Sequence, residues 1–290
     1  MNKVIKSGIV ALVGRPNVGK STLLNNLLRQ KVAITSPKPQ TTRFPLQAVY
    51  EDERGQIIFV DTPGIFGRTP DHLSKSINAQ TQETLDSNLN LLLYVIDYTR
   101  PRNDEENKTL GIVRKINVPK ILVINKSEIK TPNFSADYAF YEDEFPERVE
   151  VSAFQRWNFN ILLDMIFAHL PEQEKLVDTA HLIQPGLNLD SKLFMSEIIR
   201  EKVFLFLRDE VPYTVSTQVE KIEERHNNLL YVKGKIITTA NRYKKMLIGK
   251  AGFMIKKIGM AVRKELETAT GKQVFIDLTV EINPHWMEML

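Results

Sequence analysis

The fold is decided by one short stretch of sequence, Gly14-Arg15-Pro16-Asn17-Val18-Gly19-Lys20-Ser21. The stretch matches the pattern G-x-x-x-x-G-K followed by Ser or Thr, and it stands between an apolar run at 9–13 and a helical pattern at 22–30. In that setting the glycines let backbone amides curl around a phosphate group, and the positive end of the helix dipole favours the same anion. The stretch therefore predicts a phosphate-binding loop.

Lys20 and Ser21 carry the clearest chemistry in this loop. A lysine at this position neutralises the β- and γ-phosphates of a nucleotide, which also makes Lys20 a candidate catalytic residue, and the hydroxyl of Ser21 is placed to bind Mg²⁺. We expect the following residues to contact the nucleotide: Gly14, Arg15, Pro16, Asn17, Val18, Gly19, Lys20, Ser21 and Thr22.

Outward from the loop, the first half of the chain alternates short β-rich runs with helical patterns. Strands rich in Val, Ile and Leu, each followed by a helix, are typical of a parallel sheet covered on both faces. The runs lie at 9–13, 57–60, 91–96, 120–124 and 149–151, and the helical patterns at 22–30, 105–116 and 161–170. The predicted fold class is an α/β P-loop domain at 1–172, a linker at 173–189 that follows Pro171 and contains Pro185, and a smaller α+β domain at 190–290.

Two further segments are placed to reach the γ-phosphate and Mg²⁺. Asp61-Thr62-Pro63-Gly64 follows the run 57–60, so the Asp61 carboxylate can reach Mg²⁺ through water and the Gly64 amide can approach the γ-phosphate. The polar, proline-broken stretch 36–43 can close onto the same groups through a hydroxyl. Thr42 is our candidate for that metal-binding and catalytic role, with Thr41 as the alternative and an ordinary polar loop as the simpler interpretation.

The base-binding segment is Asn125-Lys126-Ser127-Glu128, which follows the run 120–124. A carboxylate here accepts hydrogen bonds from N1–H and the 2-amino group of guanine, whereas adenine lacks that amino group and presents an acceptor at N1. Glu128 stands where N-K-x-D motifs have aspartate, and its one added methylene delivers the same acceptors with a shifted geometry. Ser152-Ala153, after 149–151, fits a small-residue turn whose amide contacts the guanine oxygen.

Ile65 follows Gly64, where many GTPases have a glutamine that orients the attacking water. An isoleucine cannot hydrogen-bond water, so we expect slow basal hydrolysis. The nucleophile is then placed by backbone groups, a partner, or a monovalent cation near Asn17.

Positive charge is concentrated in the second half of the chain. Residues 180–290 hold 17 Lys and Arg against 13 Asp and Glu, which equals the whole net charge of +4, and 242–272 holds nine basic residues against two acidic ones. Within that stretch, a G-x-x-G loop between two helical patterns is typical of a KH domain, whose glycines approach a nucleic-acid backbone. Our candidate RNA-binding residues are Ile248, Gly249, Lys250, Ala251, Gly252, Lys256 and Lys257. A solvated basic helix with a glycine cap is the simpler interpretation.

Taken in order, these motifs closely resemble the Era family of GTPases over nearly the whole chain. The motifs that carry the resemblance are 14–21, Gln40-Thr41-Thr42-Arg43, Asp61-Thr62-Pro63-Gly64, 196–202, Glu210-Val211-Pro212-Tyr213 and the Gly249 loop. The resemblance implies a Ras-like GTP-binding domain joined to a C-terminal type II KH domain. It further implies GTP, GDP and Mg²⁺ as cofactors, binding of the 3′ end of small-subunit ribosomal RNA, and a role in small-subunit assembly. Relatives associate loosely with the inner face of the cell membrane.

Composition bears on metal binding, membrane insertion and cellular location. Cysteine is absent, and the five histidines are too far apart for a typical zinc site. No apolar run approaches the roughly 18 residues that cross a bilayer. The N-terminus offers no long apolar region before a small-residue cleavage site, so we expect a cytoplasmic protein. We also expect a monomer. Two alternatives stay open: an RNA chaperone in which nucleotide only supports the structure, and a P-loop enzyme that uses ATP.

Overall fold

The computed structural model describes residues 5–31, 33, 46–62, 89–178, 191–225 and 229–289. The chain divides into two compact units, Met1–Asn188 and Leu189–Leu290. The expectations for Thr41, Thr42, Pro63, Gly64 and Ile65 fall outside the described residues.

A six-stranded sheet in the order β2-β3-β1-β4-β5-β6 forms the centre of the first unit. All neighbouring strands are parallel except β2 and β3, which are antiparallel. The strands are β1 (Lys6–Val13), β2 (Leu46–Asp52), β3 (Gly55–Asp61), β4 (Leu91–Asp97), β5 (Lys120–Asn125) and β6 (Arg148–Glu150). Every residue of β3 and β4 is buried, as expected for apolar runs covered on both faces.

The described helices of this unit are α1 (Lys20–Leu27), α2 (Asp104–Lys115), α3 (Tyr141–Glu144) and α4 (Phe159–His169). The start of α2 is strongly specified: the side chain of Asn103 accepts a hydrogen bond from the Glu106 amide, and the first turn is acidic while the last is basic. Because β1, β3, β4, β5 and β6 run parallel, their carboxyl ends meet at one edge of the sheet. The predicted motifs that begin with Gly14, Asp61, Asn125 and Ser152 start at or just after these ends.

The segment after Pro171 remains attached to the first unit for several residues. The Gln173 amide donates to Ile5 O at 3.0 Å, and the amides of Leu176 and Val177 donate to the side-chain oxygen of Gln56. The first residues of the predicted linker 173–189 therefore pack on this unit, because buried Gln56 offers acceptors that the passing backbone can satisfy.

The second unit has the element order α-β-β-α-α-β. Its elements are α5 (Ser191–Phe206), β7 (Val215–Arg225), β8 (Leu229–Thr238), α6 (Asn241–Ile248), α7 (Phe253–Thr270) and β9 (Gln273–Ile282). The sheet order is β7-β8-β9, with β7 antiparallel and β9 parallel to β8. Burial alternates along β8, so one face of the sheet is packed and the other faces out. Among the described helices of both units, none is long and apolar enough to traverse a lipid bilayer.

Candidate functional site

Two glycines fix the path of the loop between β1 and α1. Gly19 has φ +99°, and a Cβ built there would lie 2.3 Å from Asn125 Nδ2. A Cβ on Gly14 would lie 2.3 Å from the backbone oxygen of Val95. Position 19 therefore needs glycine because of its positive φ and its contact with Asn125. Position 14 needs glycine because the backbone of β4 approaches it closely.

Lys20 lies at the start of α1 with its side chain folded back over the loop. Its Nζ donates to the backbone oxygens of Gly14 at 2.8 Å and Arg15 at 3.3 Å. Burial lowers the pKa of Lys20 to about 8, against the opposing attraction of Asp61 and Glu106. An ammonium group desolvated in this way gains most from a ligand that carries negative charge, which is what a phosphate supplies.

Ser21 and Asp61 form a pair that fits a magnesium ion. Ser21 Oγ donates to Asp61 Oδ2 at 2.6 Å, and Asp61 is fully buried. Within the described part of the chain, Asp61 Oδ1 has no hydrogen-bond partner. Burial raises the pKa of Asp61, which Lys20 and Ser21 oppose. A hydroxyl and a carboxylate with one unpaired buried oxygen are the hard oxygen groups that Mg²⁺ prefers.

Two side chains that the sequence assigned to the nucleotide face elsewhere. Thr62 Oγ1 donates to Leu12 O at 2.7 Å, so this hydroxyl fastens β3 to β1. The Arg15 side chain is 1% exposed and turns away from the loop, where it donates to Pro101 O at 2.9 Å and to Tyr138 Oη at 3.1 Å. Only the backbones of Thr62 and Arg15 are left for contact with a nucleotide.

A buried ion pair lies beneath the loop. Arg15 Nε stands 3.0 Å from Glu106 Oε2 at an angle outside hydrogen-bond geometry, and Glu106 is fully buried. The hydroxyl of Tyr94 donates to the other oxygen of Glu106. Burial raises the pKa of Glu106, while Tyr94 and Arg15 oppose that rise. The sequence offered one sign of this pair, a glutamate on the apolar side of an amphipathic helix.

Asn125 joins the phosphate-binding segment to the base-binding segment. Its Nδ2 donates to Val18 O at 2.8 Å, and its Oδ1 accepts from the Ala153 amide at 2.8 Å. The loop, the end of β5 and the Ser152-Ala153 turn are thereby held in one site. Glu128 lies on the same segment, and its buried Oε2 has no hydrogen-bond partner among the described residues. A buried acceptor in this state fits a ligand that brings N–H donors, as guanine does.

Asp97, at the end of β4, is a site residue that the sequence reasoning missed. Its Oδ2 accepts from Lys126 Nζ at 2.9 Å and from Arg100 Nε at 3.0 Å, while Arg100 Nη2 donates to Pro16 O at 3.0 Å. Burial by itself raises the pKa of Asp97, but hydrogen bonds from Thr99 and Lys126 outweigh it and hold the pKa below its usual value. The available signal was a carboxylate directly after an apolar strand.

The G-x-x-G loop of the second unit joins α6 to α7. Gly249 ends α6, with its amide donating to Lys245 O at 2.9 Å, and a Cβ there would lie 2.8 Å from Met254. Ala251 and Gly252 also have positive φ, at +49° and +78°. This conformation exposes Lys250 and leaves the loop backbone open to a ligand.

A groove of about 370 Å³ lies between α7 and β9. Apolar side chains and one glycine line it, with Lys256 and Arg263 beside them; the main lining residues are Ile255, Gly259, Met260, Val274, Ile276 and Leu278. Lys257 is exposed, and its Nζ lies 4.5 Å from the centre of the Phe206 ring, a cation–π contact. Ile248 is half-buried at the end of α6.

The class of protein that this fold and site define is a P-loop GTPase followed by a KH domain. A family model described as a 50S ribosome-binding GTPase matches residues 9–126, and a KH domain model matches 210–287. The chain is 37% identical to GTPase Era of Halothermothrix orenii over 288 residues, covering 98% of this chain and 95% of that protein. It is 36% identical to GTPase Era of Clostridioides difficile over 292 residues, covering 99% and 96%.

Solved structures agree with the sequence comparisons. A variant of Era from Aquifex aeolicus bound to GDP·AlF4⁻ has a TM-score of 0.90 at 36% identity, covering 98% of this chain and 96% of that one. Era in complex with MgGDPNP and nucleotides 1506–1542 of 16S ribosomal RNA has a TM-score of 0.89 at 36% identity, covering 98% and 95%. The chain belongs to the Era family of GTPases. The family and the fold class predicted from the motifs are confirmed.

Proposed function

We propose that this Era-family GTPase holds GTP or GDP with Mg²⁺ at the carboxyl edge of the first sheet. The observation that carries the proposal is Asn125, which ties Val18 of the phosphate loop to Ala153 of the base-side turn. The proposed nucleotide contacts are 14–22, Asp61, Thr62, Pro63, Gly64, Asn125, Lys126, Glu128, Ser152 and Ala153. Mg²⁺ is assigned to Ser21, Asp61 and Thr42. Lys20, Thr42 and Gly64 are assigned to stabilising the γ-phosphate as it is transferred.

The second unit is proposed to bind the 3′ end of 16S ribosomal RNA and to assist assembly of the small ribosomal subunit. Support comes from the structural relative that holds nucleotides 1506–1542 of that RNA, and from the open loop at 249–252 beside the groove of α7 and β9. GTP is proposed to control the state that binds RNA. That the protein is a cytoplasmic monomer remains a prediction from the sequence, and peripheral association with the inner face of the membrane remains a prediction from the family.

Competition between GDP and ADP for a labelled guanine nucleotide tests the base assignment. We expect strong preference for GDP, because the buried Oε2 of Glu128 stays unpaired against adenine. Glu128→Gln replaces one acceptor oxygen by a donor and should lose most of the preference, whereas Glu128→Asp restores the usual motif and should keep it. Preference of the wild type for ADP would overturn the proposal.

Titration with a short single-stranded RNA carrying the 16S 3′-terminal sequence tests the second unit. Lys250→Gln should weaken binding and reduce its salt dependence, because one phosphate contact is lost. Lys130→Gln, an exposed lysine of the first unit, makes the same charge change and should leave binding unaltered. If the two changes weakened RNA binding equally, binding would depend on net charge and not on the loop at 249–252.

Lys20→Ala tests whether GTP is a switch. In cells that depend on this chain, the variant should leave small subunits incomplete, because it cannot hold the γ-phosphate. Normal assembly with this variant would favour an RNA chaperone that needs no nucleotide. Turnover by the purified wild type is expected to be slow, and a rate on the order of ten per second would contradict the prediction made from Ile65.

A further inference from the structure

Two aromatic rings stand side by side on the outward face of the second sheet. Tyr231 of β8 and Phe275 of β9 are register partners, and their neighbours Val232 and Val274 are buried against the helices. The ring centroids are 5.9 Å apart and the planes differ by only 17°. Because successive side chains of a strand alternate between faces, both rings lie opposite the helices.

A cation closes one end of this pair, and the other end is open. The guanidinium of Arg225, on β7, lies 3.9 Å from the centre of the Tyr231 ring, and Tyr231 Oη donates to Asp277 Oδ2 at 3.1 Å. The column therefore runs from cation to ring to ring across three strands. Phe275 ends it on the outer strand of the described sheet, and 52% of its surface is exposed.

The open end of the column lies at the edge of β9, the strand that also forms one side of the groove. Phe275 borders the groove, but its ring lies on the face opposite α7, so the next position in the column lies beyond the edge of β9, next to the groove. Charges on the outward face are largely compensated: Lys233 and Lys235 both pair with Glu220. A flat, uncharged π-system fits this position better than a phosphate group does.

We propose that Phe275, backed by Tyr231 and Arg225, is a stacking platform for one nucleobase of single-stranded RNA that passes from the groove over the edge of β9. The proposal rests on the proposed RNA-binding function and adds a subsite to it. Every base presents a π-face, so stacking here adds affinity with little sequence preference. The simpler role for Phe275 is a cross-strand pair with Tyr231 that only stabilises the sheet.

The test compares three variants of the full chain, titrated with the short single-stranded 16S 3′-terminal RNA. Phe275→Leu should weaken binding about 5- to 50-fold without changing the salt dependence, because no phosphate contact is lost. Phe275→Trp should bind at least as tightly as the wild type. Ile282→Ala, on the same strand and also partly exposed, is the control and should bind like the wild type. The thermal midpoints of Phe275→Leu and Phe275→Trp should agree with that of the wild type, because Leu and Trp keep an apolar side chain on the strand.

A second measurement reports stacking directly. With 2-aminopurine placed at successive positions of the RNA, one position should be quenched by the wild type and by Phe275→Trp, and recover its fluorescence with Phe275→Leu. A wild type that binds no RNA would overturn the RNA function together with this subsite. Wild-type binding that Phe275→Leu leaves unchanged, or that Ile282→Ala weakens equally, would overturn the subsite alone.

Discussion

The nucleotide site and the RNA loop present their cations in opposite ways. Lys20 is 6% exposed, and two other residues of the nucleotide site, Asp61 and Asn125, are 0% and 2% exposed. Lys250 and Lys256 of the second unit are exposed to solvent. The first site is organised by buried groups that hydrogen-bond to one another, and the second by backbone conformation and surface charge. Damage to the first should therefore be large and insensitive to salt, and damage to the second graded and salt-dependent.

The largest effect is expected from the ion pair beneath the phosphate loop. Glu106→Gln leaves the buried Arg15 guanidinium without its counter-charge, which should lower the free energy of unfolding by about 3–5 kcal/mol. Arg114→Gln breaks the pair with Glu144, whose arginine is 55% exposed, and should cost less than about 1 kcal/mol. Urea unfolding measures both. Similar losses would show that burial does not distinguish the two pairs.

The next effect concerns the loop backbone itself. Gly19→Ala places a methyl group 2.3 Å from Asn125 Nδ2 at φ +99°, so nucleotide affinity should fall by about 100-fold. Gly111→Ala, in α2, meets no atom within 4 Å and should gain up to about 1 kcal/mol of stability, since alanine favours the helix. GDP titration and urea unfolding of both variants separate lost binding from lost fold. Undiminished GDP binding by Gly19→Ala would refute the tight fit with Asn125.

A smaller effect is expected at the loop 249–252 of the second unit. Substitution of its two glycines distinguishes backbone strain from steric crowding. Gly252→Ala meets nothing within 4 Å but keeps φ +78°, so RNA affinity should fall by no more than about tenfold. Gly249→Ala adds a contact at 2.8 Å with Met254 and should lose more. GDP affinity should stay at the wild-type value in both. If Gly252→Ala proved the more harmful, direct approach of RNA to Gly252 would outweigh backbone strain.

Local pattern was enough to predict most of the fold. The sequence predicted β4 and β5 to within one residue of their observed bounds, because a short run of Val, Ile and Leu is typical of a strand buried on both faces. The phosphate loop was predicted for a similar reason, since its glycines, lysine and serine are adjacent in sequence. The side-chain direction of Arg15 was not predictable, because its partners Glu106 and Tyr138 are distant in sequence and meet only in the fold.

The same limit applies to Asp97. Arg100, three residues further along the chain, is a local partner, but Lys126 reaches Asp97 only when β4 and β5 pair. Thr42 and Gly64 remain predictions from spacing and family.

The smallest effect is a change in GTP affinity between about pH 7 and 8, which depends on the protonation of Lys20. With its pKa lowered to about 8 by burial, Lys20 of the nucleotide-free protein begins to lose its proton as pH rises through 8, whereas bound phosphates hold the ammonium form. GTP affinity should therefore fall by about twofold between about pH 7 and 8, and by about tenfold per pH unit above that. Calorimetry in buffers of different ionisation enthalpy should detect proton uptake on binding. Lys20→Arg stays charged, so its affinity should not follow this pH profile.

As pH rises, the contribution of Lys20 to the free energy of unfolding should increase while GTP affinity falls. The opposite signs test whether both effects come from Lys20. Between about pH 8 and 10.5 the unfolded chain binds more protons at Lys20 than the folded one, so this lysine's contribution to unfolding free energy rises with pH. Below pH 8 both states are protonated and the cost of burying the charge is fully present. Because Lys20→Arg stays charged in both states, an equal rise in the unfolding free energy of that variant would show that the effect does not come from Lys20.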